Sequence, residues 1–327
     1  MNDISATVAI QRFPVYSLRF WMAYGVQMRP YLLFVSGIAG LSGIAWGVTP
    51  ETKIWEWLAI FFPLFLGYGF GQAFTDCFQT DTDKLSSPYR PLSKGTLSIP
   101  AVLVISSLGL VGIAVVLYLF NPVSFWLCMI AVLGTASYSY VKKHFWYGGP
   151  VHNAWIVALL PLMGYFAISG KALSEFPNHL LVNVGITYFS YASFVLIGYL
   201  KDIEADRVTE YKTFPVVFGW DKTVWLGDFI ALVTLVLFWS RPLLHMGEII
   251  FGVTGTLVLI FGEITGHFSG THDEKGALWP ILATVRSFIL LHIGLVLHYQ
   301  PHWAWLMIVF YLLFELVLWR RPSRYQV

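Results

Sequence analysis

Thr75-Asp76-Cys77-Phe78-Gln79-Thr80-Asp81-Thr82-Asp83 and Lys201-Asp202-Ile203-Glu204-Ala205-Asp206-Arg207 are two acidic clusters, each placed at the mouth of a long apolar run. Carboxylates one helical turn apart repel, and near a helix C-terminus they also oppose its dipole, each effect costing roughly a few tenths of a kcal/mol. Stability alone does not select this arrangement. Two such clusters in matching positions point to a held polyanion, with cations between.

Composition sets the class. Hydrophobic residues make up 57% of the chain and charged residues 12%, with mean hydropathy +0.67, which excludes a soluble domain. Crossing a hydrocarbon core takes roughly 20 apolar residues. Ten such runs lie near residues 30–48, 54–74, 100–120, 122–141, 151–169, 178–200, 223–240, 247–264, 278–299 and 302–319. Turn chemistry separates them: Pro50, Pro122, Gly148-Gly149-Pro150, Pro242 and Gln300-Pro301. The expected fold is an all-α integral membrane bundle of nine to ten transmembrane helices. Its expected divisions are a cytoplasmic segment over 1–28, a transmembrane domain over 29–319 and a cytoplasmic tail over 320–327.

The first residues lack the charged-then-apolar pattern of a removable signal peptide, so the N-terminus is expected to stay inside. On that topology every Lys and Arg falls on the cytoplasmic side except Lys53, Lys171, Arg241 and the intramembrane Arg286, as the positive-inside rule requires. Both acidic clusters then face the cytoplasm. The net charge of +2 gives no argument for nucleic acid, and Cys77 and Cys128 suggest no disulfide framework.

A weak internal repeat links the clusters. The second run ends Gly67-Tyr68-Gly69-Phe70-Gly71 before Asp76, and the sixth ends Gly198-Tyr199-Leu200-Lys201 before Asp202. Each cluster thus follows the second member of a four-helix group. Two four-helix pseudo-repeats around a central cavity would bring both clusters to one site, as repeats do in membrane carriers. Gly67 and Gly71 also form a Gly-x-x-x-Gly that permits close helix approach, with chance an equal explanation.

If helix continues through the first cluster, Asp76, Gln79 or Thr80, and Asp83 share one face; Asp202 and Asp206 lie one turn apart. Mg²⁺ prefers such hard oxygen ligands and completes its shell with water and substrate phosphate. Arg90 follows the first cluster and Lys212 the second, and a guanidinium or ammonium there suits phosphate. Lys94, Lys142 and His144 are assigned instead to the charge asymmetry.

With these residues the chain resembles the UbiA superfamily of intramembrane prenyltransferases. That family's first motif, Asn-Asp-x-x-Asp-x-x-x-Asp followed by Pro-x-Arg-Pro, is met by Asp76, Asp83, Pro88, Arg90 and Pro91. Its second, Lys/Arg-Asp-x-x-x-Asp-Arg followed by Lys/Arg-Thr-x-x-Val-x-x-Gly, is met by Lys201, Asp202, Asp206, Arg207, Lys212, Thr213, Val216 and Gly219. Weaker echoes are Arg29-Pro30, Tyr138-Ser139 before Lys143, and Asn153. Thr75 stands in place of the usual asparagine and Gln79 in place of the second aspartate. Asp81 could compensate for Gln79 only if the helix loosens there. A tenth apolar run exceeds the family's usual nine.

The resemblance implies Mg²⁺-dependent binding of an isoprenyl diphosphate and transfer of its prenyl group, within the membrane, to a lipophilic acceptor, an aromatic ring preferred, with release of diphosphate. It implies catalytic roles for Asp76, Asp202 and Asp206; metal ligation by Asp76, Asp83, Asp202 and Asp206; and diphosphate binding by Thr75, Gln79, Arg90, Lys143, Lys201, Arg207 and Lys212. A terpene cyclase of the same superfamily is the alternative. A carrier of an anionic lipid fits less well, because carriers place ligand groups near the midplane rather than at one face.

Deeper charges call for partners. Arg286 lies inside the ninth run, and a central charge costs at least about 2.5–3.5 kcal/mol, so it is expected to pair with Glu263 or Glu315 as structural glue. Asp228, His292 and His298 are read as packing or interface residues.

Overall fold

The computed structural model describes residues 12–321. Residues 1–11 of the expected N-terminal segment and 322–327 of the expected tail, Arg324 of the charge count among them, lie outside these. The described regular structure is all helical: α1 Leu18–Gln27, α2 Leu33–Gly47, α3 Ile54–Asp76, α4 Thr80–Ser86, α5 Ile99–Phe120, α6 Pro122–His144, α7 Ala154–Ala158, α8 Leu160–Ser169, α9 Leu180–Gly198, α10 Ile203–Val208, α11 Phe214–Phe218, α12 Trp220–Trp239, α13 Met246–His267, α14 Glu274–Tyr299 and α15 Ala304–Trp319.

Among the described residues, ten helical stretches are long and apolar enough to cross a membrane, and each answers one expected run. The fifth is not one regular helix. A π-helical turn, Gly148–Asn153, leads into α7 and α8. The tenth run is a full helical stretch, Pro301–Trp319.

Packing explains the order. α14 is sheathed by α2, α9 and α13 and buries nearly all of its apolar length. α15 buries only Met307, Phe314 and Leu318 and leaves Trp305, Leu312 and Trp319 exposed, as a lipid-facing outer helix does. Arg286 of α14 reaches across to Glu315 of α15 through Nε at 2.7 Å and Nη2 at 2.9 Å. That is the pairing the charge cost demanded. Glu263 neighbours Asp228 instead.

Small residues let α2 and α8 approach closely. A Cβ at Gly43 would collide with the Pro161 carbonyl, and one at Gly164 with the Gly40 carbonyl, so glycine is what permits this contact. Gly67 and Gly71 serve otherwise: added Cβ atoms there meet only Ile113 at 3.8 Å and Thr135 at 3.6 Å. Both glycines leave space that belongs to a cavity.

The first acidic ladder does not run on as helix. At the end of α3 the amides tighten to three-residue spacing, Phe78 to Thr75 at 3.0 Å and Gln79 to Asp76 at 3.2 Å. Gln79 then leaves helical geometry with φ −122° and ψ 20°, and α4 restarts at Thr80. The second cluster passes from α9 through a 3₁₀ turn, Tyr199–Asp202, into α10. α1 lies beside α3; it buries Phe20, Tyr24 and Gln27 and exposes Leu18 and Met22.

Candidate active site

Asp76, the last residue of α3, is 2% exposed. Its Oδ1 accepts from Gln72 at 2.6 Å and Arg29 at 2.8 Å; its Oδ2 accepts from Gln27 at 2.6 Å and Arg29 at 3.0 Å. A carboxylate has about four lone-pair sites, so Asp76 is saturated by protein donors. Arg29 makes these bonds from a left-handed backbone, φ 52°, just before Pro30. For a non-glycine residue this costs on the order of 1–3 kcal/mol and persists only where the surroundings enforce it. Burial lowers the Arg29 pKa, but the charges of Asp76 and Asp83 with the nearby Tyr31 and Tyr68 together outweigh it, and the net shift is upward.

Beyond the break, Asp83 meets Arg90 at 2.7 Å, and Arg90 also approaches Asp76 at 4.0 Å. Burial pushes the Asp83 carboxyl above its ordinary value against the pull of Arg90. The Nε of Arg29 and the Nε of Arg90 are buried without a partner among the described residues.

The second rim interlocks with the first. Asp206, fully buried, accepts from Thr82 at 3.0 Å and Thr213 at 3.2 Å and faces the Lys142 ammonium at 3.6 Å. Lys142 also donates to Gln79 Oε1 at 3.3 Å, while Gln79 Nε2 donates to Ser139 at 3.0 Å. Asp81, freed by the helix break, turns away to Lys143 and Tyr211, both at 3.1 Å. It does not stand in for Gln79.

Both rims open on one polar cavity of about 90 Å³, whose charged lining is Arg29, Asp76, Asp83, Arg90, Lys142, Lys201 and Asp202. An apolar chamber of about 100 Å³ adjoins it, walled by side chains such as Leu64, Ile113, Val132, Ile156 and Met163. Tyr68, Gln72, Tyr138, Asn153 and Tyr191 line both. The arrangement suits an anionic head joined to a hydrocarbon chain.

Of the residues singled out in the sequence, Asp76, Gln79, Asp83, Arg90, Lys201 and Asp202 are brought together in the polar cavity. Asp206 stands behind its wall, holding Lys142 and Thr82. Thr75 lines the apolar chamber and bonds Gln72 O. Three cations lie elsewhere. Lys143 pairs with Asp81, and Arg207 pairs with Glu204 at 2.6 Å with both side chains exposed. Lys212 is exposed and offers its backbone N–H to Lys143 O. Sequence reasoning missed Gln27, Tyr68, Gln72 and Lys142. For Lys142 a signal existed: it lies one turn after Tyr138, so the two share a helix face.

Among the described residues no three His, Cys, Asp or Glu side chains converge tightly enough to hold a metal unaided. Mg²⁺ does not require that, since it is commonly held by one or two carboxylates together with substrate phosphates and water. Asp83 and Asp202 offer hard oxygen from the two rims, and Asp76 does so on giving up one of its present contacts. The donor set fits Mg²⁺ bound together with an anion.

An all-helical membrane bundle with a charged cavity opening into an apolar one defines a class of enzyme that works on the head of a lipid-like substrate. The model of the UbiA prenyltransferase family matches residues 33–277, and the chain belongs to that family: it is a prenyltransferase and a multi-pass integral membrane protein. It is 30% identical over 213 residues to the digeranylgeranylglyceryl phosphate synthase of Thermococcus kodakarensis, covering 64% of this chain and 73% of that one. To the protoheme IX farnesyltransferase of Shewanella halifaxensis it is 25% identical, covering 91% and 99%. The fold matches a UbiA homologue from Archaeoglobus fulgidus bound to DMAPP and Mg²⁺, with TM-score 0.63, 16% identity and 82% and 98% coverage. It also matches one from Aeropyrum pernix K1, with TM-score 0.66, 16% identity and 78% and 94% coverage.

Proposed function

We propose that this enzyme transfers the isoprenyl group of a prenyl diphosphate to a lipophilic acceptor within the membrane, with Mg²⁺ and with release of diphosphate on the cytoplasmic side. The observation that carries this reading is the pairing of the two chambers. Four cations and three carboxylates line the first, and the second carries no charged side chain in its lining and is walled mainly by apolar ones.

The lining cations of the polar chamber are largely balanced by its carboxylates, so a diphosphate needs further positive charge. Asp83 and Asp202, with Asp76 in reserve, would hold Mg²⁺, which when bound would supply that charge to the departing diphosphate. Arg90 and Lys201 face the leaving group beside Lys142, and preorganised charge of this kind is often the largest catalytic contribution. Asp206 acts through Lys142 rather than on substrate, and Arg29 is aimed by Asp76. The apolar chamber shields the allylic cation from water.

Transfer is preferred to cyclisation because the named relatives are transferases. The cytoplasmic placement rests on the Lys and Arg asymmetry. The test is incubation of purified protein with prenyl diphosphates of several lengths, with and without Mg²⁺, followed by diphosphate release and mass analysis of products. Release that is independent of divalent cation, or absent for every chain length, overturns the proposal.

A further inference from the structure

The five residues shared by the two chambers mark a waist. With the diphosphate in the polar chamber and the hydrocarbon in the apolar one, as proposed above, the carbon–oxygen bond that breaks crosses this waist. Tyr68, Gln72, Tyr138, Asn153 and Tyr191 therefore surround the carbon that is attacked.

Tyr68 Oη and Tyr191 Oη lie 2.9 Å apart, and Asn153 Nδ2 donates to Tyr191 Oη at 3.4 Å. A phenol offers one O–H and two lone pairs. One hydroxyl proton of the pair makes the bond between the tyrosines; the other has no partner among the described residues, and lone pairs remain as well. The pair thus presents one donor and spare acceptor capacity together, which is the complement of another hydroxyl group.

A second tyrosine pair provides the contrast. Tyr138 and Tyr199 are 2.6 Å apart, but Tyr199 lines only the polar chamber and lies under the Lys142 ammonium. Its spare proton belongs with phosphate oxygen. Tyr68 and Tyr191 both border both chambers, and Asn153 reaches Tyr191 from the π-helical turn Gly148–Asn153, an irregularity common at functional sites.

We infer that the Tyr68–Tyr191 pair, positioned by Asn153, binds a hydroxyl of the acceptor, which is therefore a lipophilic phenol or alcohol. In the step, the carbon–oxygen bond to diphosphate breaks with its electron pair leaving on the diphosphate. The acceptor's nucleophilic atom bonds to the carbon, and the proton it gives up passes to the diphosphate. The pair holds the acceptor where water would otherwise capture the cation.

The test uses the purified full-length chain with Mg²⁺, geranylgeranyl or farnesyl diphosphate, and two probe acceptors, 4-nonylphenol and 1-O-hexadecylglycerol. Each probe is run beside its methyl-capped ether, so the phenol and alcohol classes are separated. The wild type should prenylate at least one free-hydroxyl probe and neither ether. Tyr68→Phe and Tyr191→Phe should raise the KM of that acceptor at least fivefold and divert at least threefold more prenyl chain to free prenyl alcohol. Asn153→Ala should shift both readouts in the same direction. Tyr24→Phe, which removes a buried hydroxyl bonded to Ser106 at 2.8 Å outside the waist, is the control and should change neither. Unchanged KM and product partition in both tyrosine variants overturn the inference. So does equal use of ethers and free hydroxyls, or diphosphate release by the wild type with neither probe prenylated. Absence of diphosphate release from the wild type instead overturns the reading of the polar chamber on which this inference rests.

Discussion

Thr82 Oγ1 donates to Asp206 Oδ1 at 3.0 Å across 124 residues of sequence, and through this bond the two acidic segments become one structure. α4 exists as a separate short helix because α3 breaks after Asp76, and the break swings Thr82 into the second rim. Asp206, with no exposed surface, needs its donors, since a buried carboxylate left unpaired is costly.

Thr82→Val removes one donor from Asp206 while nearly preserving shape. The expected loss of stability is about 1–3 kcal/mol, the cost of leaving a buried acceptor short of a partner. Because the bond sets one rim against the other, the KM for prenyl diphosphate should rise more than kcat falls. Unfolding in detergent and steady-state kinetics check both; an unchanged melting temperature with unchanged KM would show that α4 is held by other contacts.

Asp202 and Asp206 should separate cleanly by experiment, although one helical turn separates them in sequence. Asp202 lines the cavity, so Asp202→Asn is expected to lower diphosphate release at least a hundredfold, about 2.7 kcal/mol of transition-state stabilisation, with little loss of stability. Asp206→Asn strips the counter-charge from buried Lys142 and should destabilise the fold by about 3 kcal/mol or more. Equal stability of the two variants would contradict this division. Asp76→Ala belongs with Asp206, because it strands Arg29.

How far the chain could be read in advance follows from which interactions are local. The ten apolar runs were legible because the thickness of a membrane imposes a length on each, and the Arg286–Glu315 pair because an intramembrane charge has few escapes. The break at Cys77–Gln79 was not. Nothing in the residues there forbids helix, and it is the docking of Thr82 and Asp81 onto the second rim that makes a turn preferable. The same tertiary fact decides between adjacent lysines. A helix advances 100° per residue, so Lys142 enters the cavity and Lys143 leaves it for Asp81. Gln27 was hidden for another reason, since its role depends on where α1 lies against the end of α3, and Arg29, visible only as a weak echo of the family, owes its contact with Asp76 to the turn before α2.

Gln79 occupies the position where the family carries aspartate, yet it is anchored at both ends of its amide, by Ser139 and Lys142. Gln79→Asp should fold, because the new carboxylate lies within reach of the Lys142 ammonium, and it adds an oxygen anion to the lining of the polar cavity. The expected result is a fall of at least twofold in the Mg²⁺ concentration giving half-maximal diphosphate release. No change in metal response would mean that the side chain at 79 serves only to hold Lys142.

Asp81 gives the mouth of the site a sensitivity to acid. Burial by itself pushes the Asp81 carboxyl up, but the Thr82 backbone N–H, the Lys143 ammonium and the Tyr211 hydroxyl together outweigh it, and the net shift is downward. A carboxyl with a depressed folded value binds fewer protons folded than unfolded, so its contribution is complete above the ordinary aspartate value of about 4. That contribution is lost as pH falls through the folded value. Burial raises the Tyr211 hydroxyl, so this donor persists throughout the acid range. With Lys143 and Asp81 both more than a third exposed, solvent screening keeps the contribution small. Asp81→Asn should therefore match the wild type's pH dependence of melting temperature above about pH 5 and show a shallower decline below about pH 4. Parallel curves for the two proteins across that window would show that the contact between Asp81 and Lys143 does not contribute to holding the rims together.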